Sequence, residues 1–283
     1  MAQRRKKVDK QRKVLNILIY ILSILLILGV AVLIFLPAPA EKPPEAETEG
    51  IPANEYNDSS FFRKDGFLRY AGSNSKIGID VSAHQGVIDW KQVKEAGVEF
   101  AEIRAGYRGS TKGLIYEDEQ FRYNAEQAEL YGIPYGVYFY SQALNTAEAE
   151  EEASQVNLWL SSFHPSLPVF FDWEEGDGTG RISSASAVDL TACSIAFCEA
   201  VEAAGHEAGV YFNLTNAYHH MDMTRLQDYT LWLAEYNEVP TYKYHYDWVQ
   251  FTDSGTVPGI EGTVDLDLMI APEVTSDSFV VVQ

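Results

Sequence analysis

Cysteine is almost missing from this chain: Cys193 and Cys198 are the only two in 283 residues. Both fall in one predicted helix, five residues apart. That spacing puts them on different sides with Cα atoms roughly 8 Å apart, beyond disulfide reach, so two buried packing thiols are expected. No Cys/His group has zinc spacing, and His219-His220 alone is weak evidence for a metal; no metal and no cofactor are expected. No Gly-rich phosphate loop follows the first strand of the body, which argues against a dinucleotide site. Positive charge is scarce after Lys13 in a chain of net charge −20. Such an acidic body lacks the basic face that nucleic-acid binding needs. Proline is low and glycine ordinary, and a hydrophobic content of 46% suffices for one large core.

The cations that are present crowd the first 13 residues: Arg4, Arg5, Lys6, Lys7, Lys10, Arg12 and Lys13, opposed only by Asp9. Val14 to Leu36 follows as a nearly continuous Leu/Ile/Val run, about the length that spans a bilayer as a helix. It exceeds a signal-peptide core of about 7–15 residues, and Pro37 and Pro39 spoil the Ala38-Pro39-Ala40 cleavage look. The expectation is an uncleaved single-pass anchor in the cell membrane. Its basic residues 1–13 stay in the cytoplasm and the body lies outside. Residues 37–75 read as a linker or stalk, of which Ala38 to Asn54 is too rich in Pro, Glu and Ala to bury much. Phe61, Phe62, Phe67, Leu68 and Tyr70 within it either pack on the body or form a sticky part of the stalk.

From Lys76 the chain alternates strand and helix. Strands are expected at 77–82, 100–107, 135–141, 169–174, 209–213, 231–236, 248–252 and 266–270. Helices are expected at 89–96, 117–130, 146–160 and 184–204, the third exposing Glu148, Glu150, Glu151 and Glu152. Alternation implies a parallel sheet. Eight strands at this length suggest an α/β barrel over 76–272, irregular because the late strands lack long helices, with a tail at 273–283. In such barrels function sits at the C-terminal strand ends. The polar residues collect there: Asp80, Ser82, His84 and Gln85, then Arg104 and Tyr107, Tyr138 and Tyr140, Asp172 and Glu174, Tyr211 and Asn213, Glu235 and Tyr236.

The most informative stretch is Pro168-Val169-Phe170-Phe171-Asp172-Trp173-Glu174-Glu175, an apolar strand that ends in acid. Side chains alternate, so Asp172 and Glu174 share one face. Close carboxylates repel, and one tends to keep its proton, the state a general acid needs. A pair of solvated acids at a strand end would read the same in isolation.

Several motifs in order carry a resemblance: Asp80-Val81-Ser82-Ala83-His84-Gln85-Gly86 with Ile88-Asp89-Trp90, Ile103-Arg104-Ala105-Gly106-Tyr107, Gly136-Val137-Tyr138-Phe139-Tyr140, Phe171-Asp172-Trp173-Glu174, Leu231-Trp232-Leu233-Ala234, and Gly259-Ile260-Glu261-Gly262-Thr263-Val264-Asp265. Together they resemble the family 25 glycoside hydrolases, the muramidases of the bacterial and phage cell-wall type. The resemblance implies a flattened, irregular, TIM-barrel-like (β/α) barrel. It also implies cleavage of the β-1,4 bond between N-acetylmuramic acid and N-acetylglucosamine in peptidoglycan glycan strands. By motif, Glu174 would be the general acid, Asp172 its partner, and Asp80 and Asp265 the other two acids of the groove. The family pattern closes Asp-x-Asn where this chain has Asp265-Leu266-Asp267. Like-charge repulsion from Asp172, Asp80 and Asp265 is expected to raise the Glu174 pKa. Tyr107, Tyr138, Tyr140, Tyr211, Trp232 and Tyr236, with Gln85, are candidates to bind sugar, about half of the rings being expected in the core instead. Two acids on one strand face favour a substrate-assisted course in which the N-acetyl group attacks. A glycan-binding module on the same fold, or a hydrolase of another wall polymer, are the competing readings.

Overall fold

A computed structural model of the chain describes residues 50–71, 74–175, 180–182 and 188–270. The basic segment 1–13, the apolar run 14–36 and the tail 273–283 lie outside them. Among the described residues no helix is long and apolar enough to cross a membrane.

The strands are β1 (Phe61–Lys64), β2 (Phe67–Tyr70), β3 (Ser75–Val81), β4 (Phe100–Arg108), β5 (Ile115–Glu117), β6 (Tyr135–Ser141), β7 (Val169–Trp173), β8 (Ala208–Asn213), β9 (Thr230–Ala234), β10 (Trp248–Gly255) and β11 (Val264–Ile270). The helices are α1 (Trp90–Glu95), α2 (Phe121–Tyr131), α3 (Thr146–Leu160), α4 (Leu190–Ala203) and α5 (Leu214–His219). Eight strands close a barrel in the order β3-β11-β10-β9-β8-β7-β6-β4, sealed by parallel pairing of β3 with β4. The expected all-parallel sheet is corrected at one strand: β11 runs antiparallel to both β10 and β3. The turn 256–263 is too short to carry the chain back across the barrel, so β11 returns as a hairpin partner. Asp265, at the beginning of β11, thereby registers with Asp80 at the end of β3.

Two apolar layers hold the barrel. The larger lies between the strands' outer faces and the helices, and buries Phe139, Phe171, Phe197, Val156 and both cysteines, which are free thiols. The smaller fills the interior with Phe100, Phe170, Tyr211, Trp232 and Trp248. Glycine makes room for these rings. A Cβ on Gly78 would lie 2.3 Å from the Phe100 ring, and one on Gly209 would lie 2.3 Å from that of Phe170.

Local signals explain most boundaries. Asp89, Asn145 and Asp189 cap α1, α3 and α4 by accepting from backbone N–H groups one turn on, and Gly132 in the left-handed region ends α2. Three helix expectations need correction. Glu117 belongs not to α2 but to the short β5, paired with Gly106. The helix expected from Ser184 begins at Leu190, behind its Asp189 cap; residues 183–187 lie outside the described ones. Glu152 is fully buried rather than exposed, because Arg108 on β4 meets it with Nε.

The aromatic segment before Lys76 packs on the body. β1 and β2 form a hairpin through Asp65 and Gly66, both at positive φ (54° and 85°), as a two-residue turn of the type that suits strand twist requires. Phe61, Phe67, Leu68 and Tyr70 are buried. Just upstream, Tyr56 donates its hydroxyl to the Tyr246 carbonyl at 2.7 Å, and Ala53 bridges to Tyr244. The folded body therefore starts well before Lys76. A chain truncated to begin at Lys76 loses these four apolar side chains, at about 1.5–3 kcal/mol each when fully buried. Its melting temperature should fall by about 10 °C or more against a chain that begins at Gly50. Thermal unfolding followed by circular dichroism checks this, and equal melting temperatures would refute it.

Candidate active site

The C-terminal ends of the parallel strands open into a cleft of about 250 Å³. Its walls hold Asp80, Ser82, His84 and Gln85 from β3 and the turn after it, Arg104 from β4, Tyr138 and Tyr140 from β6, and Asp172 and Glu174 from β7. Tyr211, Trp232, Tyr236, Gln250 and Asp265 complete it. All four expected acids are thus together. Of the expected sugar-binding residues, Gln85, Tyr138, Tyr140, Tyr211, Trp232 and Tyr236 line the cleft, and Tyr107 does not.

Tyr107 lies instead in a neighbouring groove with Tyr116, Lys112, Leu114 and Gln142, which shares Tyr140 with the cleft. Its ring stacks on Tyr116 with centroids 5.4 Å apart. A register shift interrupts the pairing of β4 with β6 between Arg104 and Gly106. An extra residue in one strand exchanges the faces of all that follow. Tyr107 then faces the same side as Arg104, whose guanidinium carbon sits 5.3 Å from its ring centre, and Arg108 turns outward to α3. Trp232 is corrected in another way. It is 1% exposed, packs edge-on against Tyr138 and Tyr211, and gives its Nε1 proton to Asp267 at 3.0 Å. It is a floor under the cleft rather than an open stacking platform. Tyr236, half exposed, remains at the rim.

Gln250 was not foreseen, and it organises the site. Its Nε2 donates to Asp80 Oδ2 at 2.9 Å. Its Oε1 accepts from Tyr211 at 2.9 Å and from Tyr236 at 2.7 Å. One amide thereby fixes an acid and two phenols from three other strands or strand ends. The sequence signal was present but weak: Gln250 is the lone polar residue in the apolar run Trp248-Val249-Gln250-Phe251. Asp118, also unforeseen, takes both Nε and a terminal nitrogen of Arg104 at 2.8 Å and the Ala83 N–H at 3.1 Å. Arg104 therefore reaches the cleft already neutralised. Glu235 and Asn213 serve the scaffold. Glu235 accepts from Thr241 and Tyr242 backbone N–H groups to tie the 235–242 loop, and Asn213 caps α5.

The carboxyl groups differ in setting. Burial pushes the Glu174 carboxyl above its ordinary range, and a hydrogen bond with Tyr211 pulls against it. Like-charge repulsion, expected to raise Glu174, is felt by Asp172 instead. Asp172 is driven well up by burial first and by the Glu174 charge second. Asp172 is 5% exposed, and its Oδ1 finds no donor among the described residues. Asp265 is pushed up to about 6 by burial and by Asp253. The β7 pair is held at its far end too: Gln142 Nε2 donates to the Glu174 carbonyl at 3.3 Å, and Asn216 Nδ2 to the Trp173 carbonyl at 3.3 Å.

A barrel that gathers paired carboxyls and aromatic rings at one mouth is the layout of a glycoside-hydrolase fold. The chain belongs to glycosyl hydrolases family 25, whose model matches residues 79–260. It is 31% identical over 193 residues to the autolytic lysozyme of Clostridium acetobutylicum, covering 67% of this chain and 54% of that protein. It is 37% identical over 107 residues to lysozyme M1 of Streptomyces globisporus, covering 37% of this chain and 34% of that one. The chain thus spans about half the length of the first of these relatives and a third of the second. Among solved structures it resembles the modular autolysin LytC from Streptococcus pneumoniae, with a TM-score of 0.63 and 24% identity over 80% of this chain and 57% of that one. It also resembles a family 25 glycosyl hydrolase from Bacillus anthracis, with a TM-score of 0.59 and 20% identity over 76% and 94%. At these identities the structures speak for the fold.

Proposed function

We propose that this protein is a membrane-anchored muramidase that cleaves the β-1,4 bond between N-acetylmuramic acid and N-acetylglucosamine in peptidoglycan. The observation that carries the reading is the Asp172/Glu174 pair at the mouth of an aromatic-walled cleft, with Glu174 buried enough to keep a proton and partly open to a ligand. Glycoside cleavage needs one carboxyl that gives its proton to the leaving oxygen and a second group that meets the developing positive charge. Glu174 takes the first role. Asp172, with Oδ1 lacking a protein donor, accepts the N–H of the substrate's own N-acetyl group and orients its oxygen for attack. Asp80 and Asp265 face the pair across the cleft, and Tyr138, Tyr140, Tyr236 and Gln85 hold sugar along it. Relatives named lysozymes and autolysins favour the same substrate.

The anchor rests on Val14–Leu36 and its cationic flank, a span of bilayer length with positive residues on the side that stays inside. Residues 37–50 then tether the body outside the cell, local to the wall it cuts. Digestion of purified peptidoglycan by the full chain, with the new reducing ends identified, tests the activity. Muramic-acid ends with retained anomeric configuration are expected. N-acetylglucosamine ends would reassign the bond, inverted anomers would remove the substrate-assisted course, and wall binding without products would turn the reading to a glycan-binding module. Loss of the body to protease added to intact cells tests the orientation.

A further inference from the structure

Beneath the cleft lies a second group of acids. Asp267 on β11 is fully buried. Its Oδ1 accepts from Trp232 Nε1; its Oδ2 receives no N–H from any described residue. Asp267 stands opposite Gly78 on β3 and opposite Gln250 on β10, and Asp265 stands opposite Asp80; with no side chain on Gly78 in the way, the Asp80 carboxyl makes hydrogen-bond contact with Asp267 and with Asp265. Two carboxyl groups make such a bond only when one of them carries a proton. The remaining oxygen of Asp80 is spoken for by Gln250 Nε2 at 2.9 Å. Asp80 is thus held from both sides: from β10 by an amide that is itself fixed by two tyrosines, and from β11 by the buried Asp267 beneath it and by Asp265 at the cleft.

We infer that Asp267 is a positioning residue, sharing one proton with Asp80 and so fixing the Asp80 carboxyl in a single orientation at the floor of the cleft. That Asp80 serves glycan cleavage rests on the function proposed above; the shared proton does not. The surroundings favour retention of that proton. Asp265 faces the pair from the same strand and Glu102 from β4, the latter fully buried with neither oxygen bonded within the described residues. Trp232 on β9 and Gln250 on β10 contribute only N–H groups. The guanidinium lining the cleft, Arg104, is already engaged by Asp118. Burial pushes Asp80 and Asp267 up, and their neighbours' charges push the same way. With no cation among the described residues acting on the pair, two carboxylates here repel at close range, and the pair titrates as a unit.

The test compares the full chain with Asp267→Asn and Asp267→Leu. Asparagine keeps an oxygen for Trp232 and offers Asp80 an N–H that needs no titratable proton. A carboxyl whose folded pKa is raised contributes stability that is complete below the ordinary carboxylate range and is lost as pH rises through the folded value. The unfolding constant of the wild type, divided by that of Asp267→Asn, should therefore climb about tenfold per pH unit from about pH 4 upward, until the folded pair gives up its proton. A ratio that stays flat from pH 4 to 8 overturns the shared proton, whether or not the protein cuts peptidoglycan. For positioning, Asp267→Leu should lose about tenfold or more in kcat with KM little changed, and Asp267→Asn should recover most of that loss. Equal kcat in the two variants overturns the positioning role. If the wild type releases no sugar at all, the proposed function fails, while the stability ratio still decides the inference.

Discussion

Replacing Glu174 with Gln should lower kcat on peptidoglycan by about 10²–10⁴-fold, the contribution of a well-placed general acid, while KM changes little. The side chain lies at the end of β7, partly open to the cleft, and meets the Tyr211 hydroxyl. Glutamine keeps the shape and can donate an amide N–H to the Tyr211 oxygen, whose own proton goes to Gln250, so binding survives and only the transferable proton is lost. The sign of the pH effect follows from the direction of the shift. Burial raises the Glu174 pKa, so the acid form persists above the ordinary carboxylate range. Wild-type activity then falls on the alkaline side as Glu174 gives up its proton. Reducing-sugar release measured across pH 4 to 8 checks both the loss and the alkaline fall. A Gln variant with more than about a tenth of wild-type kcat would place the acid elsewhere.

Much of this site was legible because strand ends announce themselves. Asp80, Asp172 and Glu174 each close an apolar strand, and the barrel rule then brings strand ends to one face. Asp265 was legible only through its motif, since it begins a strand that runs the other way. What stayed hidden depended on events that single residues do not signal. The shift in β4 between Arg104 and Gly106 turns Tyr107 to the side of Arg104 and Arg108 toward α3, yet Arg-Ala-Gly-Tyr-Arg reads as an unbroken strand. Gln250 looked like an ordinary polar member of a late strand. Only closure of the barrel sets it between Asp80, Tyr211 and Tyr236. The hairpin at 61–70 did carry its sign, the Asp65-Gly66 turn between short aromatic runs. The Pro- and Glu-rich stretch before it made the whole segment look like stalk.

The same β4 shift leads to the largest stability effect expected away from the chemistry. Arg108 and Glu152 are both nearly excluded from solvent, at 4% and 0% exposure, and Glu152 also accepts from Ser141 Oγ at 2.6 Å. Arg108 donates further to the Gly113 and Glu148 carbonyls at 2.7 and 2.9 Å. The pair therefore pins the loop after β4 and the turn after β6, and that turn carries Gln142, the donor to the Glu174 carbonyl. Arg108 also meets Glu151 at 2.8 Å, so Glu152→Ala, which leaves the buried guanidinium only this largely exposed carboxylate, should destabilise the fold by about 3 kcal/mol. Arg108→Met should cost less, since Glu152, which burial already pushes up to about 7, can take a proton and become neutral. The double replacement Arg108→Met with Glu152→Leu should recover most of the loss, as apolar groups of similar volume often substitute for a buried pair without penalty. Urea unfolding of the three variants decides this order. If the double variant is as unstable as Glu152→Ala alone, the pair contributes through its bonds to the two loops rather than by mutual neutralisation. The Glu152→Ala protein should then lose activity as well as stability, because the support under Gln142 and Glu174 goes with it.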